Sequence, residues 1–413
     1  MHIIKKENNK DTFLTDHTLI NNEIDKSMKL YKWDFILSHL PDGSFLVGGY
    51  IRDLILRRLT PNIDVDIVVP KDAIEIGKKI ADDFNGKFII LDELREVVRI
   101  IFKHITIDIA AQISPSIDND LLSRDFSINA IAFSFEKKLL IDPQNGIKDI
   151  QLSLLRTNSK QNLIDDPLRI LRCFRFVSEL NFNIDKKLID YIKKYKNHLR
   201  LVANERINYE IQRVIRGKNA SLSILLINKL KIFNFIQAES DLILVDLDKI
   251  NFEVFNKVEK DQFLPLFFLF QIFDELSLKE LTFSKTENLH IKLLRKWKLT
   301  LDEKNIYELN EKERFELHKE LETILPAFIF TLPQTFHKEW INRWRDKEDK
   351  LFHPSNLING DVIKKYLKIK DGPLLGKLIN YLSKELAFNR LDNFDEAIYK
   401  GKRWIKQNAP KCD

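Results

Sequence analysis

Glycine is nearly absent from a long stretch of this chain: between residues 151 and 350 it occurs only at Gly217. From about Leu152 onward, almost every segment has the apolar spacing of a helix. By contrast, short apolar runs alternate with helical segments between Trp33 and Asp149. We therefore expect an α+β fold class, with mixed strands in a small head domain and an all-α remainder.

A length of 413 residues is too great for one compact core. We predict a polar N-terminal arm over residues 1–30, a head over 31–150, a helical neck over 151–235, and a helical body and tail over 236–413. Within the head, one helix is expected at about Ala73–Phe84. The strands predicted there are SFLV (44–47), DVDIVVP (64–70), KFIIL (87–91), VVRIIF (97–102) and ITIDIAA (105–111).

Composition excludes several classes of protein. With 44% hydrophobic and 31% charged residues, the chain can fill a core, so it is neither mainly disordered nor fibrous. The longest dense apolar stretch, Phe263–Phe273, is much shorter than the about 20 residues that a bilayer requires. The first residues contain no apolar region, so we expect no secretory signal. Only Cys173 and Cys412 are present, which fits a reducing compartment. We expect a cytoplasmic protein without a membrane partner.

Positive charge is concentrated in one helical region. Residues 151–216 contain fourteen Lys and Arg against seven Asp and Glu, whereas the whole chain has a net charge of only +6. Such a surplus is consistent with a solvated helix face and also with a footprint for nucleic-acid phosphates.

Two short motifs in the head carry candidate functional residues. Gly48 and Gly49 lie between a strand and a helix that carries Arg52, where backbone N–H groups can approach an anion; a tight turn alone also explains the pair. Asp64 and Asp66 share one face of a strand among apolar residues. Two like charges there are costly to desolvate, and a Mg²⁺ ion would offset the cost, unless the acids simply face water on an edge strand.

Other candidates are weaker when each is taken alone. Asp108 is a single acid in an apolar strand and could join Asp64 and Asp66 as a third carboxylate. Asp125, in the segment Ser123–Ala130, could be no more than a helix cap.

The segment DDPLR contains a possible base-reading pair. Asp166 and Arg169 are three residues apart and would share a helix face, where a carboxylate accepts hydrogen bonds and a guanidinium donates them. Cytosine and adenine both offer an amino donor beside a ring-nitrogen acceptor, so the pair could accept C and A and reject U and G. Arg172 and Arg175 continue the ridge and suit a triphosphate. A plain helix salt bridge is the competing interpretation.

Taken together and in this order, these segments resemble the class II tRNA nucleotidyltransferase family, which also contains the bacterial poly(A) polymerases. The matching motifs extend over about Phe45–Arg216, and the segment Asn359–Gly376 is similar to the family's tail. They are GGYIRD, DVD, SRDFSINA, DPQNGIKDI, DDPLRILRCFRF and NERI.

The resemblance implies a polymerase-β-like palm followed by a helical neck, body and tail. It implies template-independent addition of C, and of A if the chain adds the complete end, from CTP and ATP to the tRNA 3′ end. Two Mg²⁺ ions would be held by Asp64 and Asp66, with Asp108 as a third catalytic carboxylate. Asp166 and Arg169 would read the base, and no DNA partner is expected. Triphosphate and sugar would be bound by Gly48, Gly49, Arg52, Arg124, Asp125, Arg172 and Arg175.

This sequence departs from the family pattern at Ser123, Arg57, Asp165 and the single Gly146, none of them a predicted metal or base ligand. Only fifteen residues, Ile109–Ser123, separate Asp108 from Arg124, which resembles members that add only the two cytidines. Two alternatives stay open: a poly(A) polymerase of the same family, and a non-catalytic RNA-binding protein. No histidine is followed by Asp, so no adjacent His-Asp pair of a phosphohydrolase is present.

Overall fold

The computed structural model describes residues 14, 16–31, 33–236, 245–354, 359–391 and 393–408. The chain divides into two compact units, residues 1–210 and residues 211–413. Among the described residues, no helix is both long enough and apolar enough to cross a membrane.

Unit 1 is built on a seven-stranded mixed sheet, in the strand order β3-β4-β5-β2-β1-β6-β7. The only parallel pair in this sheet is β2 with β5, whose register sets Asp66 directly beside Asp108. Each predicted strand of the head is present. The seven strands are β1 (Phe45–Val47), β2 (Ile63–Val69), β3 (Lys87–Asp92), β4 (Val97–Ile101), β5 (Ile105–Ala111), β6 (Ala132–Ser134) and β7 (Leu139–Ile141).

Short helices surround this sheet, and a small parallel pair of strands, β8 (Leu154–Leu155) and β9 (Asn183–Ile184), follows it. The helices of the head are α1 (His17–Leu30), α2 (Asp34–Leu37), α3 (Gly49–Ile55), α4 (Ala73–Phe84), α5 (Ile117–Ser123) and α6 (Gly146–Gln151). Those beyond it are α7 (Lys160–Asp165), α8 (Arg169–Leu180), α9 (Lys186–Tyr195) and α10 (Asn204–Val214), within which the two units divide.

Part of the predicted N-terminal arm is helical. In α1, Ile20, Ile24 and Met28 recur every four residues and are buried, and Asp16 caps the helix with hydrogen bonds to two backbone N–H groups. This stripe gives a polar segment one apolar face, so α1 packs against α3 instead of lying loose. Residues 1–13 and 15 of the arm lie outside the described residues.

Within unit 2, every described helix is of the α or 3-10 type and no strand is found, as the spacing of apolar residues predicts. Capping boxes begin three of the helices and satisfy the free N–H groups of their first turns. The helices are α11 (Ala220–Leu230), α12 (Lys257–Ile272), α13 (Glu275–Glu280), α14 (Lys285–Glu303), α15 (Glu311–Leu321), α16 (Leu325–Ile329), α17 (Gln334–Arg345), α18 (Gly360–Leu367), α19 (Pro373–Ala387) and α20 (Phe394–Asn408).

Two cores hold unit 2 together. The first lies around α12, which packs against α11, α14 and α16 through phenylalanines such as Phe267 and Phe270. The second joins α18, α19 and α20 around Leu378 and Leu382. The finer division into neck, body and tail stays a prediction.

Candidate active site

The two acids of β2 project from one side of the strand. Val65 and Ile67, between and beyond them, are buried, whereas Asp64 is exposed and Asp66 is half-buried. Neither carboxylate forms a hydrogen bond or an ion pair with any residue that the structure describes. Burial raises the pKa of Asp66; the nearby Arg124 charge lowers it, and Asp108 and Asp64 raise it further. The strand therefore presents two acids that form no ion pair with the described residues, although the Arg124 charge lies near Asp66.

Asp108 lies next to Asp66 on β5 but has a partner of its own. Arg99, opposite it on β4, donates two hydrogen bonds to the Asp108 carboxylate, each of 2.8 Å. These bonds raise the pKa of Arg99, with smaller contributions from the charges of Asp64 and Asp66. The predicted third carboxylate is thus close to the other two and is already neutralised.

The glycine pair forms the turn from β1 into α3. Gly48 has a φ of +78°, a conformation that favours glycine, and a Cβ atom there would lie 2.9 Å from Nη1 of Arg124 and 3.2 Å from Oδ2 of Asp66. The Gly48 N–H donates to the carbonyl of Ile131 at 3.1 Å, so it is used within the fold. Gly48 therefore leaves space for Arg124 beside Asp66.

A buried polar network joins three of the predicted nucleotide-binding residues. Arg52 donates to Asn129 at 2.7 Å, and Asn129 donates to Asp125 at 2.9 Å. Arg172 also donates to Asp125, at 2.7 Å. Burial raises the pKa of Asp125, but the Arg172 charge and the hydrogen bonds from Asn129, Arg172 and the Phe126 backbone outweigh it and hold that pKa well below its usual range. The network fixes Arg52 and Arg172 in place.

Arg175 lies deeper than the predicted ridge implies. Its guanidinium is buried and donates to both carboxylate oxygens of Glu210, at 3.0 and 3.1 Å. It also lies over the Phe176 ring, 4.7 Å from the centroid, and Arg52 and Arg172 approach the same ring at 5.1 and 5.8 Å. Arg175 thus supports the ring on which the other two guanidinium groups rest.

The proposed base-reading pair lies where α7 ends and α8 begins. Asp166 is outside the helix: its carboxylate accepts the Leu168 N–H at 3.3 Å, and its carbonyl accepts the Arg169 N–H at 3.1 Å. Its carboxylate also accepts a hydrogen bond from Arg206, at 3.3 Å. Burial lowers the pKa of Arg169, while the charges of Asp125 and Asp166 raise it. In the described ranges, the Arg169 side chain has no hydrogen-bond or ion-pair partner.

Two residues with evident roles in this arrangement were not singled out from the sequence. Asn129 connects Arg52 to Asp125, and Arg206 holds Asp166. Both belong to motifs recognised above, SINA and NERI. A motif does not identify the distant residue with which each side chain pairs, so these roles require the fold.

Comparison with known proteins gives this site its context. Residues 44–156 match the family of the poly A polymerase head domain, and residues 181–242 match that of the probable RNA and SrmB-binding site of polymerase A. A CC-adding tRNA nucleotidyltransferase of Synechocystis sp. is 29% identical, over 88% of this chain and 94% of its own length. An A-adding tRNA nucleotidyltransferase of Halalkalibacterium halodurans is 30% identical, over 48% of this chain and 50% of its own length.

The fold agrees with these matches. The structure of a CCA-adding enzyme in its apo form superposes with a TM-score of 0.74, at 19% identity, and the match covers 97% of this chain and 100% of that one. Its likeness supports the fold alone. The head match precedes the RNA-binding match along the chain, in the same order as the sequence motifs. The Synechocystis relative aligns over most of both chains. In its head and in its RNA-binding segment the chain is similar to the poly A polymerase family, and over most of its length it is similar to a CC-adding tRNA nucleotidyltransferase.

Proposed function

We propose that this protein is a cytoplasmic enzyme that adds nucleotides from CTP, and from ATP if it completes the end, to the tRNA 3′ terminus without a template. The observation that carries the proposal is the pair Asp64 and Asp66, two acids that form no hydrogen bond or ion pair with the described residues, in a head that matches the poly A polymerase head domain. A non-catalytic RNA-binding protein would have no need for such a costly pair.

Asp64 and Asp66 have the chemistry required to hold Mg²⁺. This ion is typically bound by one or two carboxylates, with water and substrate phosphates completing its shell. Two bound ions would lower the pKa of the attacking 3′-OH and neutralise the pyrophosphate that leaves.

The triphosphate is proposed to lie beside the glycine turn. Arg124 is next to Asp66 there, and Arg52 and Arg172 are fixed by Asn129 and Asp125. Cations fixed before the substrate arrives stabilise developing charge without reorganising, which is the main route to rate in such transfers. Gly49 is proposed to bring its backbone close to the triphosphate. Asp125 is proposed to contact the sugar of the nucleotide. Arg175 is proposed to act through Phe176.

Base reading is assigned to Asp166 and Arg169. Arg206 holds the Asp166 carboxylate, and the Arg169 guanidinium keeps its donors available in the described structure. One acceptor and one donor at fixed positions complement the amino group and ring nitrogen of cytosine or adenine. Uracil and guanine would place a donor against Arg169 and an acceptor against Asp166.

The short segment after Asp108 favours CC addition. Strand β5 continues to Ala111 and α5 begins at Ile117, so only residues 112–116 connect them. The Ser116 side chain caps α5, and Asp120 in α5 pairs with Arg124 at 3.3 Å. A segment tethered at both ends has few alternative states with which to reset the pocket from C to A. We therefore propose that the terminal A is added poorly.

One assay tests these assignments together. Purified protein is incubated with tRNA that ends at the discriminator base, with each NTP singly and in pairs, and products are resolved at single-nucleotide length. Addition of two C residues is expected, with slow extension from CTP plus ATP. Long A tracts would instead indicate a poly(A) polymerase, and bound but unextended tRNA an RNA-binding protein.

Replacing Asp64 or Asp66 by Asn in this assay tests the metal assignment, and the control variant for these changes is matched in charge. Asp82, exposed on α4, has no hydrogen bond or ion pair to a described residue, so Asp82→Asn removes one carboxylate without touching the site. Efficient addition of A to tRNA that already ends in CC, at the rate of the first C, would overturn the restriction to CC and leave nucleotidyl transfer standing.

A further inference from the structure

Unit 2 contains a cavity that the proposed transfer reaction does not use. It measures about 250 Å³ and lies between α15, α17 and the segments near residues 307 and 352. Pockets for drug-sized ligands typically enclose roughly 300–1,000 Å³, so this one has room for a single small heterocycle. The side chains that matter below are Tyr307, Arg314, His318, Phe336, Trp340 and Arg343.

Aromatic rings line one side of this cavity. Tyr307 is 80% exposed, although its ring lies only 5.6 Å from that of Phe336. Phe336 in turn meets Trp340 nearly edge to face, at 6.4 Å. An exposed tyrosine beside partly covered rings leaves aromatic faces on which a planar ligand can stack.

A buried histidine, His318, also lines the cavity. His318 is only 4% exposed, and its Nδ1 atom is fully buried without a hydrogen-bond partner in the described part of unit 2. Burial and the nearby charge of Arg343 lower the pKa of His318 to about 3, so the ring is neutral at pH 7 and offers one donor and one acceptor. Because its Nδ1 atom is not accessible, His318 supports the wall of the cavity through its neighbours, the rings of Trp340 at 5.1 Å and Phe352 at 4.0 Å, and is not expected to contact a ligand itself.

Arg314 at the rim of the cavity offers a positive charge to an anionic group. Arg343 is neutralised by Asp349, which accepts hydrogen bonds from it at 2.7 and 3.3 Å. Arg314 is exposed and lies over the Phe388 ring at 5.3 Å, and no carboxylate among the described residues pairs with it. A phosphate could therefore bind Arg314 while the attached ring enters the cavity. Glu339, which also lines the cavity, can accept from an amino group.

We propose that this cavity binds one unstacked nucleobase of an RNA, stacked beside Tyr307 and Phe336 with its phosphate on Arg314. The inference rests on the proposed function, because that function supplies an RNA substrate. Recognition of unpaired bases by aromatic and guanidinium groups is a general mode of RNA binding. The helical body is expected to bind the tRNA through its phosphates. This site would add a contact to one looped-out nucleotide.

Two exposed side chains allow a test without loss of folding. In the full chain, Tyr307→Ala and Arg314→Gln should each weaken binding of tRNA lacking its 3′ end by about tenfold. Because neither residue belongs to the nucleotide site, the KM for CTP should stay the same. Tyr399→Ala, at a tyrosine 63% exposed on α20 outside the cavity, is the matched control and should bind tRNA like the wild type.

A direct readout separates this proposal from the proposed function. Ultraviolet cross-linking of the full chain to the same tRNA, followed by mass spectrometry, should place cross-links at Tyr307, Phe336 or Trp340. Such cross-links in a chain that transfers no nucleotide would keep the cavity proposal and overturn the enzyme. Normal transfer, with cross-links only elsewhere and unchanged binding by both variants, would overturn the cavity proposal alone.

Discussion

Asp66 on β2 and Asp125 beside α8 are two acids of unit 1 whose pKa values shift in opposite directions. On β2, Asp66 and its neighbour Asp64 receive no hydrogen bond from the described residues, and the pKa of Asp66 is raised. In the network beside α8, Asp125 accepts from Asn129, Arg172 and the Phe126 backbone, and its pKa is lowered. Burial acts in the same direction on both, so the partners decide the outcome. An acid that the fold leaves without a partner suits an external cation, whereas one that the fold satisfies, such as Asp125, holds the neighbouring arginine in place.

The largest expected effect follows from removing the acids without partners. Asp64→Asn and Asp66→Asn should each reduce CC addition by at least about 10³-fold, because loss of a metal site removes several kcal/mol of transition-state stabilisation. Thermal stability should stay the same or rise, since no protein partner loses a hydrogen bond. Single-turnover rates and thermal unfolding of each variant check this, with Asp82→Asn as the control. Near-normal turnover in both variants would contradict the metal assignment.

Replacing Asp125 by Asn in the buried network should lower the free energy of unfolding. Asp125→Asn leaves the Arg172 guanidinium without its anion, and breaking a buried pair in this way typically costs about 3–5 kcal/mol of unfolding free energy. Because Arg172 is partly exposed, we expect about 3 kcal/mol. Urea unfolding of the wild type and the variant measures the difference. An Asp125→Asn variant that is as stable as the wild type but inactive would contradict this prediction. It would show that Asp125, like Asp66, is needed for the reaction and not for stability.

The pH dependence of that loss has a defined sign. The folded-state pKa of Asp125 lies below the ordinary 3.8, so its charge contributes stability that is fully present above about pH 4 and is lost as the pH falls towards the folded-state value. The difference between wild type and Asp125→Asn should therefore be constant at neutral pH and shrink in acid. A difference that shrank as the pH rose would show that another group is responsible.

Sequence reasoning identified the acids without partners more readily than the network. Alternation along a strand is a local property, so the spacing of Asp64 and Asp66 was enough to place them on one face. The bond from Arg52 to Asn129 joins residues 77 positions apart, and no local pattern predicts it. In the same way, the pairing of Arg99 with Asp108 depends on β4 lying beside β5.

The start of α8 shows a second limit. The prediction that Asp166 and Arg169 share a helix face is wrong, because the helix begins at Arg169; Asp166 lies before it and pairs with Arg206 from α10. A spacing of three residues predicts a shared helix face only when both residues are helical. That Asp166 and Arg169 present one acceptor and one donor to a base stays a prediction, and only the fold reveals Arg206 as the residue that holds Asp166.

Base choice is the next effect in size. Asp166→Ala and Arg169→Ala should each raise incorporation of UMP relative to CMP by about tenfold, because an unpaired donor or acceptor no longer costs the wrong base roughly 1–3 kcal/mol. Arg206→Ala should give a smaller relaxation of a few fold, since Asp166 keeps its own charge and loses only its orientation. Competition between CTP and UTP measures the ratio. Variants that lose activity yet keep strict preference for C would place the base pocket elsewhere.

The smallest expected effect concerns Asp108, whose surroundings are intermediate between those of Asp66 and Asp125. Asp108 lies beside Asp66 yet is held by Arg99, in a pair whose side chains are 42% and 24% exposed, for arginine and aspartate respectively. Ion pairs with that exposure contribute about 0–1 kcal/mol. If Asp108 acts as part of this pair, Asp108→Asn should reduce CC addition by no more than about fivefold, and Arg99→Ala should act similarly.

If Asp108 is instead a third metal ligand, Asp108→Asn should reduce CC addition as much as Asp66→Asn does. In that case Arg99→Ala should free the Asp108 carboxylate and lower the Mg²⁺ concentration at which the rate is half-maximal. Measuring the rate of both variants across a Mg²⁺ titration distinguishes these cases. A loss of about 10³-fold in Asp108→Asn would place it with the acids of β2, because only a group bound to the metal gives an effect of that size. A small loss in both variants would place it with Asp125, as an acid that the fold has already satisfied.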